Sequence, residues 1–270
     1  QREPIIPFML SNLGPHLSIA DVDKNGYDDV LIGGNKQQKT QLLLQDLKGN
    51  FSLSSQPDLD KDFNKEDANN LFIDVDNDGD LDLIITSGGN EFQLGENLEP
   101  RLYVNDNQKY TKETNAFKGV SLNASVVKAA DFDNDGFIDL FIGSNAKPRK
   151  YGQVPKSFLL KNDRHNHFVD ITNSVFKEFQ NIGMVQDALW TDLNKDGFDD
   201  LIIVGHWMPI SILLNKNGKQ FNLQTNNNLQ QSNGLWNCIV QNDFDKDGDI
   251  DFVVGNWGEN SLLKASNQNP

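Results

Sequence analysis

Three features of the chain predict an all-β fold, a β-propeller of four-stranded antiparallel blades. A nine-residue acidic pattern recurs five times. Short, branched apolar runs stand on both sides of every copy. A polar turn followed by an aromatic residue comes at a fixed place after them. The copies occupy residues 21–29, 74–82, 131–139, 192–200 and 243–251, at spacings of 53, 57, 61 and 51 residues. A period in that range, holding four short strands, is the signature of a propeller blade.

Each element follows in order. The runs before the loops, such as 17–20 and 71–73, are short and mostly apolar, as strands are. Positions 10–12 of each copy are apolar, as in Leu83, Ile84 and Ile85, and predict a second, buried strand. A third strand is expected at 41–44, 101–104, 157–160 and 211–214. A polar turn then leads to Phe51, Tyr110, Phe168 or Phe221, opening a fourth strand. Four residues later stands Ser55, Thr114, Thr172 or Thr225. The whole chain, 1–270, is read as one propeller domain or a segment of one. Residues 5–10 are expected to form a fourth strand before the first loop, and 262–264 a third strand after the last. Either 5–10 completes the fifth blade and closes a five-bladed ring, or the chain is part of a larger ring of about seven blades.

The loops carry the chemistry of a calcium site. Ca²⁺ is a hard cation that takes about six to eight oxygen ligands. Positions 1, 3, 5 and 9 are Asp21, Asp23, Asn25 and Asp29 in the first loop and Asp74, Asp76, Asp78 and Asp82 in the second. They are Asp131, Asp133, Asp135 and Asp139 in the third, Asp192, Asn194, Asp196 and Asp200 in the fourth, and Asp243, Asp245, Asp247 and Asp251 in the fifth. Position 6 is always Gly, which permits a sharp turn. Position 7 varies, as expected of a backbone-carbonyl ligand, and is Tyr27, Asp80, Phe137, Phe198 or Asp249. An EF-hand would place a bidentate Glu at position 12; Ile32, Ile85, Ile142, Ile203 and Val254 exclude it. About five calcium ions per chain are expected, with a structural role. The loops at 21–29 and 192–200, each with one Asn, are expected to bind more weakly than the all-Asp loops.

The net charge of −15 argues against nucleic acid as a partner. Eighteen of the side chains at positions 1, 3, 5 and 9 are Asp, and five Ca²⁺ would bring the formal charge to about −5. The acidity therefore reads as metal-binding. The longest aliphatic runs, such as 201–204, are far short of the roughly 20 residues a membrane-spanning helix needs. No signal peptide is visible and the chain opens at Gln1, so it is read as part of a longer or processed protein carrying further domains. The single cysteine, Cys238, permits no internal disulfide.

The D-x-D-x-[DN]-G-x-x-D loops resemble those of the FG-GAP/VCBS repeat β-propellers, whose best-known members are the integrin α-subunit heads. The segments GHWMPI (205–210), NGLWN (233–237) and GNWGENSLLKAS (255–266) are similar to large bacterial VCBS-repeat proteins that carry ASPIC/UnbV-type modules. The resemblance implies a calcium-bearing propeller, exported or held at the cell surface, and leaves activity unassigned.

Alternation of strands sends the calcium loops to one face. The connections 87–100 and 144–156 go to the other, together with His206, Trp207, Trp236, Asn256 and Trp257. This second face is the candidate ligand surface, because long loops and exposed aromatics on a rigid scaffold are where partners bind. The alternative places the tryptophans between blades. His165 and His167 read as a solvated turn. No GxSxG, HExxH, P-loop or GxGxxG motif is present, nor the S-x-D-x-G-x-x-W boxes of sialidase propellers. The leading expectation is a non-enzymatic, calcium-stabilised extracellular module that binds a glycan or a protein. A polysaccharide-active lyase or hydrolase, with Glu91, Asp187 or Glu259 as acid or base, and a purely architectural segment both stay open.

Overall fold

The computed structural model describes Gly14 and residues 16–89, 92–176, 179, 181–225 and 228–258. All strand pairs within it are antiparallel. The first sheet holds β1 (Leu17–Ala20), β2 (Asp29–Ile32), β3 (Gln41–Gln45) and β4 (Phe51–Ser54) side by side. The second holds β5 (Asp67–Ile73), β6 (Asp82–Ser87), β7 (Arg101–Asp106) and β8 (Lys109–Glu113). The third holds β9 (Ala124–Ala130), β10 (Asp139–Ser144), β11 (Phe158–Asn162) and β12 (Phe168–Asp170). The fourth repeat contributes β13 (Met184–Thr191), β14 (Asp200–Met208), β15 (Ser211–Lys216) and β16 (Gln220–Leu223), and the fifth β17 (Gly234–Asn242) and β18 (Asp251–Asn256). The expected strands all appear where they fall on described residues; 5–10 and 262–264 lie outside them.

One register recurs in all five repeats. The residue before the loop pairs with loop position 9: Ala20 with Asp29, Ile73 with Asp82, Ala130 with Asp139, Thr191 with Asp200, and Asn242 with Asp251. A slip of one residue would turn every apolar side chain of the second strand to the wrong face. Both faces of the inner second strands are buried, which is why they read as unbroken apolar runs rather than as alternation.

The core lies between sheets. Val22, Leu31 and Leu42 pack with Leu83, Ile85, Tyr103 and Tyr110. Val75 and Ile84 meet Leu140 and Ile142, and Phe132 and Phe141 meet Leu201 and Ile203. Positions 2 and 11 of one repeat thus face positions 10 and 12 of the next. Each such side chain contributes about 1.5–3 kcal/mol by leaving water. Buried Arg101 adds a polar tie at the end away from the loops. Its guanidinium meets Asp67 at 2.5 Å, and the other Asp67 oxygen accepts from Gly34 N–H at 2.6 Å, joining the first repeat to the second.

Two features depart from simple repetition. Short helices α1 (Pro57–Lys61) and α2 (Thr172–Val175) follow the fourth strands of the first and third repeats; α1 buries Leu59. The fourth repeat's second strand is nine residues long. Its far end pairs His206 with Leu235 and Met208 with Gly234, fusing the fourth and fifth repeats into one six-stranded sheet.

Trp190 is a direct test of packing against polarity. It is buried between Phe132 and Phe221, and its indole N–H has no partner among the described residues. Trp190→Phe removes that orphan donor while keeping an aromatic ring in place, and is expected to cost clearly less in urea unfolding than truncation. Trp190→Ala opens a cavity and is expected to cost about 3–5 kcal/mol.

Candidate metal centres and the face opposite them

The five loops share one backbone. Position 4 is left-handed in each, with φ of 59, 62, 57, 59 and 63° at Lys24, Asn77, Asn134, Lys195 and Lys246. Position 6 follows at 87, 88, 87, 89 and 93°. A Cβ at Gly26, Gly136, Gly197 or Gly248 would meet nothing within 4 Å, and one at Gly79 only the Lys24 Nζ at 4.0 Å, so the conformation alone demands glycine.

Side-chain oxygens hold this turn together. Position 1 caps it: Asp131 Oδ1 accepts from Asp135 N–H at 2.9 Å and Oδ2 from Gly136 N–H at 2.8 Å, and Asp21, Asp192 and Asp243 repeat the pair. Position 5 accepts from the position 7 N–H in every loop, at 2.7–3.0 Å. Position 9 is the most buried. Asp82 Oδ2 accepts from Val75 N–H at 2.9 Å, and its Oδ1 accepts from Asn105 N–H in the third strand at 2.8 Å. Asp29 and Asp200 make both contacts too.

The oxygens that remain converge. Ligand atoms of Asp21, Asp23 and Asp29 lie within 4.8 Å of one another, as do those of Asp74, Asp76 and Asp78, of Asp131, Asp133 and Asp139, and of Asp243, Asp245 and Asp251. These four clusters can hold metal ions. The donor set is all oxygen, which suits a hard cation. Asp74 Oδ1, Asp133 Oδ1 and Asp139 Oδ2 are buried without a hydrogen-bond partner, as expected of atoms that await a cation. Burial pushes the Asp82 and Asp139 carboxyls up to about 7.

The loops are not equivalent. The fourth brings no three acids together among the described residues; Asn194 donates to Asp196 at 2.9 Å instead. In the first, Asn25 donates to Asp23 at 3.1 Å. The third carries its own counter-charge, since the Lys161 ammonium lies on Asp133 and on Asp135 at 3.0 Å, and Arg164 reaches Asp135 at 3.1 Å. Against the upward pull of burial, these cations hold the Asp135 carboxyl below its ordinary value.

At the far end of β14, about 23 Å along the strand from Asp200, the five predicted ligand-face residues separate. Trp207 sits on a bulge with φ of 59°, and its ring is half exposed. Its indole N–H donates to Tyr151 Oη at 3.3 Å. The two rings line an open cleft of about 420 Å³ with Gly152, Val154, Gly183 and Met184, and no charged side chain. His206 also borders this cleft but is buried as a neutral imidazole. Gln186 lies 3.2 Å from its Nδ1, and its Nε2 lies 2.9 Å from Asn237 Oδ1. Burial holds its pKa below the ordinary value. Trp236 packs against the core of the fourth and fifth repeats and donates to Ser232 O at 2.7 Å. Trp257 lies against His206, ring centres 5.9 Å apart. Asn256 is exposed, and its Oδ1 accepts from Gly258 N–H. Of the acids left open as catalytic, Asp187 is bound to Lys128 and to Ile239 N–H; Glu91 and Glu259 lie outside the described residues.

The FG-GAP-like repeat family matches residues 21–85, 74–142 and 192–264, more than half of the chain. The chain belongs to the FG-GAP-like repeat family. The match supports that repeat and brings no support for an association with ASPIC/UnbV-type modules. No curated relative matches the chain. Among solved structures it is similar to an Agrocybe aegerita lectin described as recognising non-reducing terminal N-acetylglucosamine (18% identity, TM-score 0.47, covering 76% of this chain and 50% of the lectin). It is also similar to the V. cholerae biofilm matrix protein Bap1 (14%, 0.45, 88% and 34%) and to a Photorhabdus luminescens Tc holotoxin pore (17%, 0.36, 85% and 10%). The chain therefore spans about half the length of the lectin and about a third of Bap1. No helix among the described residues is long and apolar enough to cross a membrane.

Sequence reasoning missed Lys161 and Tyr151. Lys161 stands at the end of a third strand and reaches the loop only through the fold. Tyr151 is one aromatic in a long connection, with no pattern around it. In these FG-GAP-like loops the glycine requirement gives a clean measurement. Gly136→Ala is expected to cost about 1–2 kcal/mol, the strain of a left-handed alanine with no clash. Gly218→Ala is expected to cost more, since its Cβ would stand 2.5 Å from Asp133 Cα at φ of 68°. Denaturant unfolding of the two variants side by side checks the order.

Proposed function

We propose that this chain is a calcium-stapled, extracellular binding module that recognises a glycan or a protein through the face opposite its metal loops. The observation that carries the reading is Trp207. A bulky residue at positive φ is strained by roughly 1–2 kcal/mol, and such strain gathers at functional sites. Here it holds a half-exposed indole beside Tyr151 in a cleft without charges. An apolar platform with a polar edge suits the ring of an uncharged sugar or an aromatic or aliphatic side chain. The wider hollow bordered by Asn173–Phe176 and Gln220–Leu223 has no charged group either, but its aromatic residues, Phe176 and Phe221, carry no polar edge.

Calcium would supply charge neutralisation at the loops, held by side chains at positions 1, 3 and 5, by position 9 where it joins the cluster, and by the position 7 carbonyl. It would stabilise the blade hairpins rather than touch ligand. Extracellular calcium modules have Kd near 10⁻⁴–10⁻³ M, so millimolar calcium outside a cell would fill such sites. That is the ground for placing the module outside the cell.

Removing metal with EDTA is expected to lower the melting temperature, each site withdrawing about 2.7 kcal/mol from a protein held at a hundredfold excess over Kd. An unchanged melting temperature refutes the staple. Lys161 competes for the third loop, so Lys161→Met is expected to tighten one of the calcium sites in isothermal titration and leave the others alone.

Binding is tested on a glycan array and by pull-down of extracellular proteins in millimolar calcium. Trp207→Gly relieves strain while removing the platform. It is expected to keep stability within about 1 kcal/mol of the parent and to lose binding. A large fall in melting temperature with binding preserved would show that Trp207 is packing, not platform.

A further inference from the structure

The 144–156 connection carries four of the chain's 24 basic residues, Lys147, Arg149, Lys150 and Lys156, and no acid, in a protein of net charge −15. Its backbone is built to hold them in place. Lys150 N–H donates to Lys147 O at 2.9 Å and Gln153 N–H to Lys150 O at 3.1 Å, making two turns in succession. In each the third residue is left-handed, Arg149 at φ of 60° and Gly152 at 86°. After a proline, as at Pro148, that place ordinarily goes to glycine. A bulky Arg149 there is strained, and strain of this kind gathers at functional sites. The start of the connection is fixed as well. Ser144 N–H donates to Ser157 Oγ at 3.1 Å, and Ser144 Oγ to Asn123 O at 2.7 Å.

This connection is the wall between two clefts. On one side stands the Trp207–Tyr151 cleft; on the other lies a second cleft of about 250 Å³, and Val154 borders both. The lining of the second is of another kind. Ser121, Asn123, Ser144 and Asn181 offer hydroxyls and amides, and Lys147 and Lys156 offer cations. No acidic side chain borders either cleft among the described residues. Lys156 is engaged already: its ammonium meets Asp170 at 2.7 Å and lies over the Phe158 ring. Lys147 is exposed and has no ion pair among the described residues. Of these two lysines, Lys147 is the one left for a ligand.

We infer that the ligand is an acidic polysaccharide, with an uncharged sugar seated on Trp207 and Tyr151 and the carboxylate or sulfate of the neighbouring sugar on Lys147. The inference rests on the reading of the Trp207 cleft as a ligand site and adds the charge of what binds beside it. A sugar ring has an apolar face and a hydroxyl edge. That matches a second cleft that mixes Leu94 and Pro155 with serine hydroxyls and asparagine amides. A lysine ammonium is a point charge with three rotatable donors, so it takes either anion. The protein's own acidity does not forbid this. The nearest acidic loop of the same blade lies about 17 Å down β10 from Ser144, and at physiological salt exposed charges act over about 8 Å.

An array of acidic hexasaccharides, each printed beside its neutral form, tests it in millimolar calcium, with isothermal titration of the best pair. Hyaluronan beside its carboxyl-reduced form is the carboxylate arm, and keratan sulfate beside its desulfated form is the sulfate arm. At least one acidic form is expected to bind about tenfold more tightly than its neutral partner, the effect of one charge-assisted hydrogen bond. That preference is expected to shrink as salt is added. Lys147→Gln is expected to bring the acidic form to the level of the neutral one, and Lys147→Glu to put it below. Lys150→Gln removes the same charge outside the cleft and is expected to weaken binding less than about twofold. Melting temperature verifies that each variant folds. A preference that survives Lys147→Gln overturns the inference. So does an equal loss from Lys150→Gln, because a diffuse field rather than a seat is then at work. Neutral forms bound as tightly as acidic ones overturn it too, yet leave the Trp207 reading standing if Trp207→Gly abolishes both. Acidic binding that Trp207→Gly leaves intact sinks the platform reading, and the two-cleft ligand with it. No binding by any sugar overturns the inference, and pull-down of an acidic protein in its place would identify the other class of ligand.

Discussion

The aspartate at loop position 9 is the interaction on which each blade depends. Asp29, Asp82, Asp139 and Asp200 are fully buried, and each accepts an N–H from the third strand of its own blade. In Asp29, Asp82 and Asp200 the second oxygen holds the position 2 N–H at the start of the loop. One side chain therefore closes the first hairpin and fixes the third strand to it. Hydrogen bonds to a carboxylate stabilise by about 1.5–3 kcal/mol each, but burying the charge opposes them. The raised carboxyls of Asp82 and Asp139 record that opposition. A cation at the loop would offset it, which ties metal to blade geometry without any contact between metal and ligand.

From this anchor the rest of the architecture follows. With position 9 fixed, positions 10 and 12 face the preceding sheet and position 11 the following one. The apolar second strand is then buried on both sides by neighbours rather than by its own blade. Stability is shared between adjacent repeats, as in other repeat proteins.

The two ends of the blades divide the labour. The loop end is rigid and acidic, its backbone locked by carboxylates. The far end carries the departures from repetition: the long β14, its bulge at Trp207, and the connection that brings Tyr151 alongside. Strain at Trp207 is sustained because β14 is held on one side by β13 and on the other by β17. The proposed platform at that end could vary without disturbing the metal-capable loops.

Fold class, strand order and the metal-capable loops were legible from the residues alone. The reason is periodicity: five copies of one pattern, each bounded by runs too short and too branched for helices, admit one kind of local structure. The loop carboxylates were legible because their ligands are close in sequence. What the tertiary structure decided involves residues distant in sequence. Only the fold brings Lys161 to Asp133, Tyr151 to Trp207 and Arg101 to Asp67. It also separates three tryptophans that the sequence had grouped, because a bulge turns Trp207 outward while the register of β17 turns Trp236 towards the core. Side-chain direction in a strand is set by parity, and one bulge reverses parity, so no reading of residue types alone could have made that distinction.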